Sequence, residues 1–585
     1  MSKTAIVETD VLIIGTGPAG GGAAALLSTY GISNMVINKF AWTARTPRAH
    51  ITNQRTLEVL RDLGLEEESM NLATPADLMG ENTYCTSLAG DDLGRIKTWG
   101  THPLRKADYE LASPTQMCDL PQNLLEPILI RAAAHRGSKV RFDTEYLSME
   151  QDNDGVTATL LDRITGQTFK VRAKYLIGAD GANSKVVDDA ALPIEGEMGL
   201  SGSINMVFEA DLSQYVEHRP SVLYWVIQPG SDVGGLGIGV VRMVRPWNRW
   251  LAIWGYDVEQ GPPKLDDKLA TSIVHKLIGD SDIPVRIVST STWTVNNAYA
   301  TKNINGRVFC MGDATHRHPP TNGLGSNTSI QDAFNLCWKI ALVLQGKASA
   351  SLLDSYDAER SPVAEQIVKR ANKSLGDFPP ILQALGLLDT QDPEQMNKNM
   401  AARKDSTPEA AEQRLALTQA IDSTHYVYNA HGVEMNMRYT SNAVVPDGSP
   451  DPGFKRDAEL YHEHSSRPGA PIPHAWLQRG KDKVSTLDLC GRGKFSLITG
   501  TGGEAWAESA REVSSALGIE IDAHVIGPGK EVEDPYGDFT RLREIDENGA
   551  LLVRPDFIVA WRSEQLQADT SSALTAAVGE VLGRA

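Results

Sequence analysis

Gly15, Gly17 and Gly20 form a GxGxxG run at the start of "GTGPAGGGAAALLSTYG". The first glycine allows a tight turn, the second lets backbone approach a pyrophosphate, and the third lets a helix pack on a strand. The spacing therefore predicts a dinucleotide held at a helix N-terminus. About 20 residues further on, where an acidic side chain would take the ribose hydroxyls, the sequence has Asn38 and Lys39 in "VINKF". An amide oxygen accepts the same hydrogen bond, which makes Asn38 a candidate substitute. "YLIGADGANSKV" and "GRVFCMGDATHRHPP" each set an aspartate, Asp180 and Asp313, after an apolar strand and a glycine. His50 stands in the polar run "TPRAHITNQRT"; an imidazole with an ordinary pKa near 6.5 exchanges a proton near neutrality.

The elements that must hold these residues can be read from the hydrophobic pattern. "TDVLII" is a short β-branched run suited to a buried parallel strand, the glycine turn and an Ala- and Leu-rich helix follow, and "SNMVINK" is the next strand, completing a βαβ unit. "NQRTLEVLRDLGL" carries leucines at helical spacing and stops at Gly64. Between about 202 and 295, "SVLYWVIQPG", "GGLGIGVVRMV" and "RWLAIWGYDV" predict an antiparallel sheet. A buried strand, a Gly- and Pro-rich turn and a helix over about 326–344 return to the nucleotide-binding pattern. Residues 352–435 are mainly helical in composition, and "VVPDGSPDPGF" has the density of a linker. From about 467, "KFSLITG", "DAHVIG" and "DFIVAWR" alternate with helix-like "EAWAESAREVSSALG", the pattern of a small α/β domain.

Composition narrows the partners. The chain has 585 residues, enough for two to four folded units, and its 56 basic against 74 acidic residues give a net charge of −18. That balance repels nucleic acid and anionic membrane. The opening "MSKTAIVETD" has no apolar run before a cleavage site, and no run approaches the roughly 18 apolar residues of a membrane span, so a cytoplasmic protein is expected. Cys85, Cys118, Cys310, Cys337 and Cys490 are widely spaced with no CxxC pair, which argues against disulfides, structural zinc and dithiol redox chemistry.

GxGxxG, then Gly-Ala-Asp-Gly, then Gly-Asp-Ala with a Pro-Pro turn, in this order and at these separations, resemble the FAD-dependent aromatic hydroxylases, the single-component flavoprotein monooxygenases. The resemblance spans roughly residues 7 to 370. "PRAHITNQRT", "SVLYWVIQPGSD" and "HRHPPTNGLGSNTSIQDAFNL" are similar to the phenol hydroxylase branch, in particular its bacterial chlorophenol hydroxylases. The implied fold is α/β: a Rossmann-like FAD-binding domain of the p-hydroxybenzoate hydroxylase type over 1–200, with substrate-domain insertions near 80–115, and again over 301–370. An antiparallel substrate domain would occupy 201–300, a helical region and linker 371–445, and a thioredoxin-like domain without CxxC 446–585. Lacking paired cysteines, that last domain is expected to support packing or a dimer.

Carried over by motif, Gly15, Gly17 and Gly20 would cradle the FAD pyrophosphate and Asp313 would bind the ribityl chain. Asp180 and Gly181 match a motif serving both FAD and NADPH, and Arg48 and Gln122 stand where the family has flavin contacts. Gly323, Gly325 and Asn327 belong to the turn and helix start that lie along the isoalloxazine, with Pro320 at its reactive edge. His50 falls where an aspartate assists phenol deprotonation in the branch. His316 and His318 would shape the Pro-Pro turn. Tyr224, Trp225, Arg242, Met243, Trp254 and Trp293 would wall a small aromatic pocket, at most half of them pointing inward because strand residues alternate. The implied reaction is NADPH- and O2-dependent ortho-hydroxylation of a phenol to a catechol through a flavin C4a-hydroperoxide, with no metal and in a homodimer or homotetramer. Two alternatives are a hydroxylase of a larger phenol, of polyketide or hydroxyphenylpropionate type, and a non-catalytic dinucleotide-binding protein.

Overall fold

The computed structural model describes residues 6–229 and 238–584. The strand Ile6–Ile14 is buried over its second half and lies at the centre of a sheet, parallel to Thr168–Gly178 on one side and Asn34–Ile37 on the other. Val308–Cys310 and Lys139–Arg141 extend the parallel set outward, and the hairpin Thr144–Gln151 with Val156–Asp162 adds antiparallel strands to the edge of Thr168–Gly178. The helices Pro18–Thr29, Gln122–His135 and Gly325–Leu344 pack together over this sheet, with small residues of the first, Ala23, Ala24 and Ala25, fully buried between them. Small side chains allow helices to approach closely, which brings the glycine turn and the start of Gly325–Leu344 to the same end of the sheet.

The second sheet has eight strands: His316–Arg317, Arg286–Ala300, Ile194–Glu209, Arg249–Tyr256, Ile238–Arg245, Leu223–Ile227, Glu81–Cys85 and Asp92–Lys97, in that order. It is antiparallel throughout except where Leu223–Ile227 runs parallel to Glu81–Cys85, because the last two strands enter from an insertion in the first domain. The first four residues of the expected strand "GGLGIGVVRMV" lie outside the described residues; the strand itself runs from Ile238 to Arg245. One face of the sheet is closed by the helix Asp267–Ile278 through Ala270, Val274 and Leu277. The helical region after residue 375 packs onto this sheet: Phe378, Ile381, Leu382, Leu417 and Ile421 belong to the same hydrophobic core.

The C-terminal sheet places Ile521–Ile526, Phe495–Gly500, Ala550–Val553 and Val559–Ser563 side by side, the first pair parallel and the others antiparallel, with the helices Glu504–Leu517 and Thr570–Val581 packed on each other. That order is a thioredoxin-like arrangement. All five cysteines are free and buried. The sheet shares a continuous core with the first domain, where Phe557 packs edge-on against Phe334 at 5.2 Å and Phe495 against Trp338 at 5.8 Å. Beneath those rings Lys339, Glu359 and Arg554 are all fully buried, with Glu359 accepting from Lys339 at 2.9 Å and from Arg554 at 2.6 Å. No helix among the described residues is long and apolar enough to cross a membrane.

Candidate active site

Gly15 sits at φ 108°, in the region open to glycine, and a Cβ there would overlap the Ala179 carbonyl of the Gly-Ala-Asp-Gly segment. A Cβ on Gly20 would overlap the Gly15 carbonyl, whereas one on Gly17 would meet nothing closer than Glu126 Oε1 at 3.9 Å. Two glycines thus close the turn, and the third leaves a clear approach to the N-terminus of Pro18–Thr29. This is the cradle a pyrophosphate needs, and the residues present fit a bound dinucleotide.

Gln122 Nε2 donates to Glu126 Oε1 at 2.5 Å, Ala44 N–H donates to Glu126 Oε2 at 2.6 Å, and Gln122 N–H donates to the Arg48 carbonyl at 3.0 Å. Arg48 is exposed beside them. The structure therefore gathers Arg48 and Gln122 against Gly17, with the buried Glu126 organising them. Asn38 is committed to its own loop: its Nδ2 donates to Thr16 Oγ1 at 2.6 Å and to the Trp42 carbonyl at 3.1 Å, while Oδ1 accepts Phe40 N–H at 3.2 Å. Only one lone pair on Oδ1 is left for a ribose hydroxyl.

Asp180 departs from the expectation of a direct cofactor contact. Its Oδ1 accepts from Ser184 Oγ at 2.5 Å and its Oδ2 from Lys185 and Val186 N–H at 2.8 and 3.2 Å. The carboxylate caps the helix Lys185–Asp189 and fixes the loop, leaving Gly181, half-buried at φ 85°, with open space on its Cβ side. Asp313 keeps its carboxylate for other partners, exposed and 3.9 Å from where a Cβ on Gly325 would lie. Its loop is held from below by Asp332, which accepts from Gly312 N–H at 3.0 Å, pairs with His316 Nε2 at 2.9 Å and accepts Arg360 Nε at 2.7 Å. Burial would raise the Asp332 carboxyl, but Arg360 and His316 outweigh it and hold it below the usual carboxylate range. His318 is bound to the Pro319 carbonyl at 2.7 Å, and burial together with His316 pushes it down to about 4. Both histidines shape the turn.

Pro320 is exposed at the head of the turn Thr321–Gly323, its carbonyl accepting Gly323 N–H at 3.2 Å. Asn327 is reassigned. Its side chain is 1 % exposed, with Nδ2 donating to the Gly323 carbonyl at 2.6 Å and the Ile51 carbonyl at 2.8 Å, and Oδ1 accepting Asn53 N–H at 3.0 Å. The amide is a clamp between the turn and the segment that carries His50, with both Nδ2 hydrogens used in holding the two together. Gly325 begins the long helix whose N-terminus faces the same turn.

His50 precedes a two-residue strand, Ile51–Thr52, paired antiparallel with Cys118–Asp119. That pairing sets His50 Nδ1 2.8 Å from Asp119 Oδ2, and Arg242 Nη2 lies 3.4 Å from the other oxygen while Nη1 donates to the Pro47 carbonyl. Asp119 is fully buried and the His50 side chain 16 % exposed. Burial would raise the Asp119 carboxyl; His50 and Arg242 reverse this and hold it low. Burial and the Arg242 charge depress His50 below its ordinary 6.5, with Asp119 opposing in part. Burial likewise pushes Arg242 down to about 10. An ionised Asp119 accepts a hydrogen bond from Nδ1–H, so neutral His50 presents Nε2 as an acceptor. The ring meets Trp99 edge-on at 6.3 Å, and Trp99 meets Tyr428 at 5.9 Å.

The register of the second sheet divides the six expected wall residues. Leu223, Arg242 and Leu251 are directly opposite one another, as are Trp225, Val240 and Ile253, and Ser203 faces Trp293, so Trp225, Arg242 and Trp293 share the face that turns toward His50. Tyr224, Met243 and Trp254 are on the opposite face and do not wall the pocket. Tyr224 is fully buried with its hydroxyl donating to the Arg219 carbonyl at 3.0 Å, Met243 lies in the core, and Trp254 sits under Lys276 of the covering helix. Asp119, Glu126, Trp99 and Tyr428 had no motif to announce them. Among the described residues no group of His, Cys, Asp and Glu could hold a metal.

A βαβ cradle for a dinucleotide, a Gly-Asp loop under a helix N-terminus and a histidine facing an aromatic sheet define a flavoprotein hydroxylase. The chain belongs to that family, the FAD-dependent aromatic-ring monooxygenases: its residues 8–371 match the model of the FAD binding domain and 465–585 that of the aromatic-ring hydroxylase C-terminal domain. It is 66% identical to a 2,4-dichlorophenol 6-monooxygenase of Delftia acidovorans, covering 99% of both chains, and 50% identical to a phenol 2-monooxygenase of Pseudomonas sp. (strain EST1001), covering 98% of this chain and 93% of that one. Among solved structures it resembles the flavin-dependent monooxygenase PieE in complex with FAD and substrate, with a TM-score of 0.94, 43% identity and coverage of 99% and 100% of the two chains.

Proposed function

We propose that this protein hydroxylates a phenol at the carbon ortho to its hydroxyl, giving a catechol, with a chlorophenol such as 2,4-dichlorophenol as the preferred substrate class and NADPH and O2 as co-substrates. The observation that carries this reading is the His50–Asp119–Arg242 set facing an aromatic sheet beside the turn that bears Pro320. Bound FAD, reduced by NAD(P)H, supplies the activation of O2.

The chain's own residues prepare the ring. Asp119 fixes the His50 tautomer, Nε2 accepts the phenolic proton, and the resulting phenolate is the more nucleophilic form of the ring. Arg242 keeps Asp119 ionised and lowers the His50 pKa, so the imidazole is neutral and ready at pH 7. Ring chlorines withdraw electrons and acidify the hydroxyl, which suits a base of depressed pKa. Trp99, Trp225 and Trp293 offer apolar contact and help to exclude water. Identity of 66% to a chlorophenol enzyme against 33% to a tetracenomycin A2 monooxygenase-dioxygenase of Streptomyces glaucescens favours the small phenol over a polyketide. The test is purification followed by NADPH oxidation matched against catechol formation over a panel of chlorophenols, phenol and larger phenolics. A yellow protein forming 3,5-dichlorocatechol from 2,4-dichlorophenol is expected; absence of phenol-dependent catechol formation across the panel overturns the reading.

A further inference from the structure

Glu126 is 2 % exposed in the helix Gln122–His135, and it is the only charged side chain in the run from Gln122 to Ile130. A buried carboxylate is normally held by a cation. This one is held by neutral donors, Gln122 Nε2 on Oε1 and Ala44 N–H on Oε2. A carboxylate has about four acceptor positions, so the two donors leave part of it open.

The carboxylate stands at the pyrophosphate cradle. The nearest atom to a Cβ on Gly17 would be Glu126 Oε1, at 3.9 Å. Gly17 is the N-cap of Pro18–Thr29, the end of that helix to which an anion is drawn. The dinucleotide phosphates therefore come to rest beside an anion that the chain already holds. Like charges in close company disfavour each other's ionisation.

The surrounding charges push the same way. The glycine turn and the helix start, Gly15 to Gly22, have no titratable side chain. The loop that supplies Ala44 brings Lys39, Arg45 and Arg48, all exposed. The helix Glu66–Leu72, packed farther along Gln122–His135, keeps Glu68 on Arg131. Burial lifts the Glu126 carboxyl above its ordinary value; the Ala44 N–H, Gln122 and the Arg48 charge oppose this only in part. A phosphate that draws Arg48 to itself weakens that counter-charge and adds its own negative charge, and both changes favour the protonated acid.

We propose that Glu126 is a proton-linked positioning residue for the cofactor: FAD binding moves one proton from solvent to the Glu126 carboxylate, so the pyrophosphate is seated against a neutral acid. One O–H bond forms on the carboxylate, the buffer gives up the proton, and nothing is oxidised or reduced. The protonated group still accepts from Ala44 N–H, so the loop stays anchored while the charge is removed. By the reciprocity of linked binding, FAD affinity falls as pH rises, by up to about tenfold per pH unit between the Glu126 pKa of the free protein and that of the complex.

The experiment dilutes holoenzyme at fixed pH values from 5.5 to 8.5 and reads the FAD Kd from recovered flavin fluorescence, in the wild type and Glu126→Gln. The wild-type Kd should rise across the range by about tenfold or more relative to that of the variant. Glu126→Gln keeps the shape without the charge, so at pH 8.5 it should bind FAD at least as tightly as the wild type, an outcome that a merely structural role does not give. Equal pH slopes in the two proteins, or a constant weakening of Glu126→Gln at every pH, overturns the proposal. If Glu126→Gln does not fold, calorimetric titration of FAD into deflavinated wild type decides, run at pH 5.5, 6.5 and 7.5 in pairs of buffers with different ionisation enthalpies. Net proton uptake at one or more of these pH values supports the linkage, and uptake at none overturns it. No phenol enters either measurement, so the result stands apart from the substrate reading above.

Discussion

His50 and Asp119 are 69 residues apart in the chain, and their side chains meet at 2.8 Å because two very short strands pair. The contact orients an otherwise isolated loop histidine, the residue proposed above as the base. His50→Ala is expected to lower kcat/KM for phenol hydroxylation by about 10²- to 10⁴-fold while FAD stays bound, the range for loss of a positioned base. Steady-state rates with flavin absorbance on the same sample check it.

Arg242 and Asp119 act on the His50 pKa in opposite directions, and the sign of each variant follows. The histidine is depressed below 6.5, so the acid limb of the rate profile should lie below pH 6.5 in the wild type. Arg242→Met removes a cation that lowers the pKa and should move the limb to higher pH; Asp119→Asn removes an anion that raises it and should move the limb lower. Each leaves a buried charge without its partner and should cost about 3–5 kcal/mol of stability. pH profiles of kcat/KM paired with urea unfolding read both effects.

The glycines of the cradle separate folding from binding. Gly20→Ala places a Cβ against the Gly15 carbonyl and should destabilise the apoprotein, whereas Gly17→Ala meets nothing nearer than 3.9 Å and should fold normally. The second variant is expected to weaken FAD by about tenfold or more, equivalent to about 1.4 kcal/mol. Thermal unfolding of apoprotein and titration by flavin fluorescence distinguish the two.

Stability should peak near pH 6.5. Eight histidines, among them His431 and His474 at about 3, are held by burial below their ordinary value, so the unfolded chain takes up more protons as pH falls below 6.5 and stability drops. On the alkaline side burial lifts Glu434 to about 8 and Asp62 to about 7. These are protonated in the folded state and ionised when unfolded, so stability falls as pH rises toward 8, by up to about 1.4 kcal/mol per pH unit per proton. Tm measured from pH 5 to 8.5 should show the maximum, and Glu434→Gln should flatten its alkaline side.

Glu359 holds Lys339 and Arg554 together below the C-terminal sheet. Glu359→Gln strands two buried cations and should cost about 3–5 kcal/mol. Because the sheet and the flavin domain share one core, FAD retention should fall with the same midpoint as secondary structure, read by flavin fluorescence and circular dichroism in one thermal scan.

Much of the fold was legible because it is written in local terms. The run "TDVLII" before the glycines, the helix after them and the return of the pattern at Gly306 are short-range signals, and the strands they predict are present. The antiparallel sheet was legible too, including the limit that half of its six named residues face inward; which half depends on register, and register depends on strands from residues 81–97 that enter from elsewhere in the chain. Asp119 was illegible for the same reason. An aspartate in "MCDLPQN" has no special neighbours; it gains its place from His50 and Arg242, which other strands bring to it. Asp180 and Asn327 show the converse: their motifs were visible, but not the hydrogen bonds by which their side chains hold the chain itself.

Asn327 joins the Gly323 and Ile51 carbonyls through one amide nitrogen. The loop of His50 and the turn of Pro320 thereby share a single surveying mark, while Trp225 and Trp293 stand on a different sheet. The sheet at Trp225 or Trp293 is free to drift under selection, or under design, without re-aligning that loop and turn, and a change at Asn327 would shift the two against each other.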